Sequence, residues 1–125
     1  MTKEMPQKKC VLIVDDEPRI GRILGVKLGL LGYEPITVTS GAEALVAVQT
    51  QNPSVMLLDI VMPGMDGFQV LKRLRAFSEL PVIALSARSE NGPRALELGA
   101  NDFLTKPFSV DDMVMRVKGI LNDES

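Results

Sequence analysis

The sequence predicts an α/β fold, a parallel sheet with helices on both of its faces. Three short apolar runs, at 10–14, 55–58 and 82–85, show no polar alternation, as strands buried on both faces require. Segments of helical period separate them and two further strand candidates, so strand and helix alternate five times in 125 residues. That alternation is the pattern of βαβ units, whose crossovers lay helices over both faces of a parallel sheet.

The first strand, 10–14, ends at Asp15 and Asp16. The helix that follows, 18–31, opens with Pro18 in its first turn and stops at Gly32, the usual asymmetry of helix ends. Strand 34–39 carries β-branched Ile36, Thr37, Val38 and Thr39. Ser40 is an N-cap for helix 41–51, and Asp66 is one for helix 67–77. Strand 55–58 ends at Asp59 and strand 82–85 at Ser86. Gly92 and Pro93 act against any earlier helix start, which predicts a short, mobile fourth helix over 93–98, ended by Gly99. Strand 102–105 leads to Lys106, and helix 110–121, after Ser109, sets Val110, Met113, Val114, Val117 and Leu121 along one stripe.

Gly21, Gly25 and Gly29 recur every four residues on one face of the first helix, each costing about 1 kcal/mol against alanine. Two explanations stand: close packing on a neighbouring element, or a flattened surface that receives a partner.

A chain of 125 residues suits one domain, with a core over about 9–122 and a flexible extension at 1–8. Its 46% hydrophobic and 24% charged residues place it among soluble globular proteins. No apolar run approaches the roughly 20 residues that cross a bilayer, and residues 1–9 lack the apolar centre of a signal peptide, so a cytoplasmic location without membrane contact is expected. A formal charge of -2 argues against direct nucleic-acid binding. Lys3, Lys8 and Lys9 read as a solvated stretch, and Cys10 as plain core. With one cysteine and no histidine, the chain excludes internal disulfides, Ser-His-Asp and Cys-His nucleophiles, zinc sites of the usual kind and a histidine base.

Carboxylate, hydroxyl and lysine chemistry remains. Ligands of open parallel sheets bind beyond the carboxyl ends of the strands, which gathers Asp15, Asp16, Asp59 and Ser86 at one edge. Three carboxylates in a partly desolvated crevice repel one another unless a cation neutralises them. Oxygen ligands alone select magnesium, calcium or manganese, and few carboxylates plus waters suit magnesium with a phosphate partner, with manganese also compatible. Lys106, after the last strand, brings its ammonium to the same edge. A carboxylate nucleophile, a metal, a lysine and a hydroxyl together make a phosphoryl-transfer site, in which Asp59 would form an acyl phosphate that water later hydrolyses.

At these residues the chain resembles the receiver domain of two-component response regulators. The matching segments are Val14-Asp15-Asp16-Glu17, Leu58-Asp59-Ile60-Val61-Met62-Pro63-Gly64-Met65-Asp66-Gly67, Ala84-Leu85-Ser86-Ala87 and Asn101-Asp102-Phe103-Leu104-Thr105-Lys106-Pro107-Phe108, in the family's order and spacing, within about 9–122. The resemblance implies a flavodoxin-like (βα)5 fold with strand order 2-1-3-4-5. It implies that Asp59 is phosphorylated, that Asp16, Asp59 and the Val61 carbonyl coordinate magnesium, and that Asp15 holds a metal-bound water. Lys106 would pair with a phosphoryl oxygen, Pro107 would follow a cis peptide bond, Ser86 would swing to bond another oxygen, and Phe103 would then move inward.

The implied donor is a sensor histidine kinase or phosphotransfer protein. The implied readout is an output domain or downstream protein on the face of the fourth helix, fifth strand and fifth helix, with dimerisation on phosphorylation compatible with it. Departures are few. Ser86 stands where threonine is commoner, which keeps the hydroxyl, and Phe103 stands where tyrosine also occurs. Val61 and Arg88 flank the phosphoryl position, and apolar Val61 offers no group to orient water, which predicts slow self-dephosphorylation.

Other functions compete. A magnesium-dependent phosphatase of the haloacid-dehalogenase type carries a second aspartate two residues after its nucleophile, where this chain has Val61. A flavodoxin-like cofactor binder needs a phosphate-cradling loop after the first strand, where Asp15, Asp16 and Glu17 would repel phosphate. A phosphorylation-independent docking module would not need the full acidic and lysine set found here.

Overall fold

The structure, a computed structural model, describes residues 8–123; the extension expected at 1–8 lies almost wholly outside them. The elements alternate throughout: β1 (Cys10–Val14), α1 (Pro18–Leu30), β2 (Glu34–Val38), α2 (Gly41–Gln51), β3 (Val55–Asp59), α3 (Gly67–Arg75), β4 (Val82–Ser86), α4 (Asn91–Glu97), β5 (Asp102–Thr105) and α5 (Val110–Ile120). All pairings are parallel, in the expected order β2-β1-β3-β4-β5.

Successive strand residues point to opposite faces, and both faces are covered. Leu12, Val14, Met56, Leu58, Val82 and Ala84 join α2 and α3 in one core. Their neighbours Val11, Ile13, Val55, Leu57, Ile83 and Leu85 join α1 and α5 in the other. Every residue of β1, β3 and β4 is therefore buried, the physical reason for the unbroken apolar runs.

The glycine stripe of α1 resolves as close packing. A methyl at Gly21 would lie 3.3 Å from Thr37 Cγ2, and one at Gly25 would lie 3.5 Å from Pro35 Cβ, so the stripe lets α1 settle on β2. The capping residues act as expected. Ser40 accepts from the Glu43 N–H and Ser109 from the Asp112 N–H, while Asp66 and Gln69 form a reciprocal capping box.

The fourth helix corrects its expected start. It begins at Asn91, two residues before Pro93. Pro93 is thus the third helical residue, inside the first turn, where backbone N–H groups have no partner to lose. Gly92 is buried because the Phe103 ring occupies the place of a side chain, 2.9 Å from where a Cβ would stand. The third helix stops at Arg75, two residues short of its expected end, and its chain continues through a turn in which the Phe77 and Ser78 N–H groups both bond the Leu74 carbonyl. Among the described residues, no helix is long and apolar enough to cross a membrane.

Candidate functional site

The carboxyl ends of β1, β3 and β5 converge on one acidic crevice. Backbone bonds beyond the strand ladders hold its rim: the Asp15 N–H donates to the Val38 carbonyl at 3.2 Å, Ile60 to Leu85 at 2.9 Å and Lys106 to Ser86 at 2.8 Å. Ile60 and Met62 bury themselves in the core, which pins the chain directly after Asp59. The Gly67 N–H closes that loop on the Ile60 carbonyl at 2.8 Å.

Asp15 and Asp59 are 2% and 5% exposed, with Asp16 further out at the mouth. One carboxylate oxygen from each of the three lies within 4.8 Å of the others. The Lys106 ammonium stands 3.0 Å from Asp15 Oδ2 and 3.5 Å from Asp59 Oδ1. Asp15 Oδ1 also accepts the Glu17 N–H at 2.9 Å.

Burial pushes the Asp59 carboxyl up to about 6, and the charges of Asp15 and Asp16 add to the rise, against the opposing Lys106 ammonium and a bond from the Val61 backbone. Burial would lower the Lys106 ammonium, yet its hydrogen bond to Asp15 and the charge of Asp59 hold it above its ordinary value. With all three carboxylates ionised, three negative charges face one positive charge, an excess of two that a divalent cation would neutralise. The donor set, carboxylate oxygens only, suits magnesium or manganese.

Asp15, Asp16, Asp59 and Lys106 therefore meet as the sequence expected. Ser86, wholly buried, stands at the neighbouring strand end, but no described hydrogen bond joins its hydroxyl to Asp59. Its Oγ instead accepts from the Arg88 N–H at 3.1 Å and from Asn91 Nδ2 at 3.0 Å. Asn91 carried no signal in the sequence, because its reach to Ser86 depends on how the β4–α4 connection turns. Phe103 lies outside the acidic cluster, half-buried on β5 with its ring against Gly92. The Lys106–Pro107 peptide is cis.

Two clefts flank the crevice. One, of about 310 Å³, is lined by Ile60, Val61, Met62, Arg88 and Asn91 among others. The other, of about 360 Å³, is apolar and runs between α1 and the β5–α5 connection along Ile20, Ile23, Leu24, Pro107, Phe108 and Val110.

Comparisons with known proteins agree with this fold. The pattern of the response regulator receiver domain family matches residues 11–118. A probable transcriptional regulator, ycf27 of Porphyra purpurea, is 43% identical over 117 residues, 92% of this chain and 48% of that protein. The transcriptional regulatory protein KdpE of Mycobacterium tuberculosis is 44% identical over 110 residues, 86% of this chain and 49% of that protein. The chain thus spans about half the length of the curated relatives it matches. Among solved structures, the receiver domain of the Francisella response regulator 1452 superposes with a TM-score of 0.86 at 36% identity, covering 92% of this chain and 98% of that one. The chemotaxis protein CheY4 of Vibrio cholerae does so with 0.84 at 30% identity, covering 92% and 100%.

Proposed function

Since the chain belongs to the response regulator receiver domain family, a family of signalling domains in two-component systems, we propose that Asp59 accepts a phosphoryl group from a histidine kinase or phosphotransfer protein. The observation that carries this reading is the buried Asp59 carboxylate held between Lys106 and two further carboxylates at the rim of the sheet. An Asp59 oxygen attacks phosphorus, the donor's P–N bond breaks as the O–P bond forms, and the product is an acyl phosphate. Asp16, Asp59 and the Val61 carbonyl would hold magnesium, or manganese, with Asp15 on a metal-bound water. The ion, when bound, offsets charge on the transferring oxygens.

Lys106 turns from the carboxylates to a phosphoryl oxygen, a short movement for an ammonium already 3.5 Å from Asp59. Ser86 donates its hydroxyl proton to a second oxygen, and Phe103 moves inward. The altered face of α4, β5 and α5 then meets an output domain or a downstream protein, or a second copy of the chain. The match to half of each longer transcriptional regulator supports an attached output domain, with any contact to DNA made there and not by this chain. The apolar groove beside Lys106, where Ile23 is 50% exposed, suits a helix of the phosphoryl donor.

Intact-mass spectrometry after incubation with magnesium and a small acyl-phosphate donor tests the reading. One phosphoryl adduct is expected, absent when a chelator removes the metal. An adduct that forms equally well in chelator would overturn the metal-dependent mechanism, and steady turnover of the donor would point to a phosphatase.

The acyl phosphate is expected to be long-lived. Val61 is 58% exposed beside the site and carries no group that could orient an attacking water. Val61→Asn should shorten the phospho-protein lifetime several-fold, followed as phosphate release from purified protein. A wild-type lifetime of seconds, unchanged in the variant, would remove Val61 from the account.

A further inference from the structure

We infer that Asn91 is a positioning residue that restrains the Ser86 hydroxyl, so that the first turn of α4 acts as a brake on phosphoryl uptake at Asp59. The inference rests on the phosphoacceptor reading of the site.

Helix α4 begins without the usual anchor. Glu90 at its N-cap position is itself in a right-handed helical conformation and makes no side-chain cap bond. The other caps described above, Ser40, Asp66 and Ser109, each accept a backbone N–H of their own helix. In α4 the anchoring bond runs backward instead: Asn91 Nδ2, on the first helical residue, donates to Ser86 Oγ at the end of β4. The intervening residues close as tight turns, with the Asn91 N–H on the Arg88 carbonyl at 3.1 Å and the Gly92 N–H on the Ser89 carbonyl at 3.0 Å. Ser86 Oγ receives the Arg88 N–H from the same connection. Both acceptor directions of this hydroxyl are thus taken by the β4–α4 segment.

Ser86 cannot swing toward a phosphoryl group on Asp59 and keep both bonds. Whatever turns the hydroxyl releases Asn91, and with it the start of α4. The same turn carries Gly92 against the Phe103 ring, at a distance that leaves no room for a side chain. Movement of the turn therefore also frees the aromatic ring. Conversely, while Asn91 holds Ser86, only a fraction of molecules present the hydroxyl to an incoming phosphoryl group, and the uptake rate falls with that fraction. A single hydrogen bond of this kind biases such an equilibrium by about fivefold.

The test is a double-mutant cycle with two readouts. Hydrogen exchange of the 88–95 amides, without metal or phosphoryl donor, is compared in wild type, Asn91→Ala, Ser86→Ala and the double variant. Exchange about fivefold faster in Asn91→Ala is the expected result, with Ser86→Ala adding less in that background than it does alone, because only the Arg88 N–H bond then remains to be lost. Equal exchange in wild type and Asn91→Ala, or fully additive effects, overturns the latch. Phosphoryl uptake from a small acyl-phosphate donor is then timed in Asn91→Ala, where about fivefold acceleration at unchanged magnesium affinity is expected. Faster exchange with unaltered uptake overturns the brake and leaves the phosphoacceptor reading standing. Absence of any adduct in the wild type sinks that reading and the brake with it, while the exchange cycle still decides the latch.

Discussion

Replacing Asp59 with asparagine is expected to abolish phosphoryl uptake and, in the metal-free protein, to raise stability. The first effect follows from chemistry: the amide has no anionic oxygen to attack phosphorus. The second follows from burial. The Asp59 carboxyl holds its proton more tightly in the folded protein, at about 6, than at its ordinary 3.8, because ionisation inside the crevice is opposed by desolvation and by Asp15 and Asp16. Its contribution to stability is therefore complete below about pH 4 and is lost as pH rises through about 6. A shift of roughly two units corresponds to about 2–3 kcal/mol, felt in full above about pH 7.

In chelator, the Asp59→Asn variant should accordingly unfold on the order of 5–10 °C above wild type at pH 8, and at nearly the same temperature at pH 4. Magnesium should narrow the gap by stabilising the wild type alone. Thermal unfolding across this pH range, beside intact mass with the acyl-phosphate donor, reads both effects. Equal unfolding temperatures at pH 8 would show that Asp59 is not destabilised by its burial, and an adduct on the variant would show that it is not the acceptor.

The legible parts of this protein are those governed by short-range rules. β1, β3 and β4 announce themselves because a strand covered on both faces has no reason to alternate. Ser40, Asp66 and Ser109 are legible caps because each bonds an amide three residues away. The acidic crevice is legible too, since parallel strands bring Asp15, Asp59 and Lys106 to one rim whatever else the chain does.

Illegible features depend on where a chain turns in space. The proline rule at Pro93 reports that an N–H is missing, not whether the helix has already begun, so α4 starts earlier than its glycine and proline suggest. Asn91 finds Ser86 across a connection with no periodicity. Gly41 faces Val70 Cγ2, which would stand 2.7 Å from an added methyl, and nothing near Gly41 in the sequence points to α3.

Gly67 shows the largest such consequence. By helix propensity alone, alanine at the first residue of α3 should stabilise by up to about 1 kcal/mol. Yet an added Cβ would lie 2.6 Å from Ile60 Cα and 2.7 Å from the Asp59 carbonyl oxygen. These are backbone atoms and cannot rotate aside, so the strand end itself must move. That strain falls on the Gly67–Ile60 bond at 2.8 Å and the Ile60–Leu85 bond at 2.9 Å, the two contacts that hold the segment directly after the Asp59 carboxylate.

Gly67→Ala is therefore expected to cost about 3 kcal/mol in denaturant unfolding, at the upper end of overpacking penalties. It should also slow phosphoryl uptake in the fraction that remains folded. Gly119→Ala is the matched control, because an added methyl on α5 meets nothing within 4 Å and should be neutral or stabilising by up to about 1 kcal/mol. Two changes of the same chemical type, each in a helix, should thus differ in sign. If Gly67→Ala proved as stable as Gly119→Ala, the close approach of α3 to the end of β3 would be wrong, and with it the account of how Asp59 is held in place.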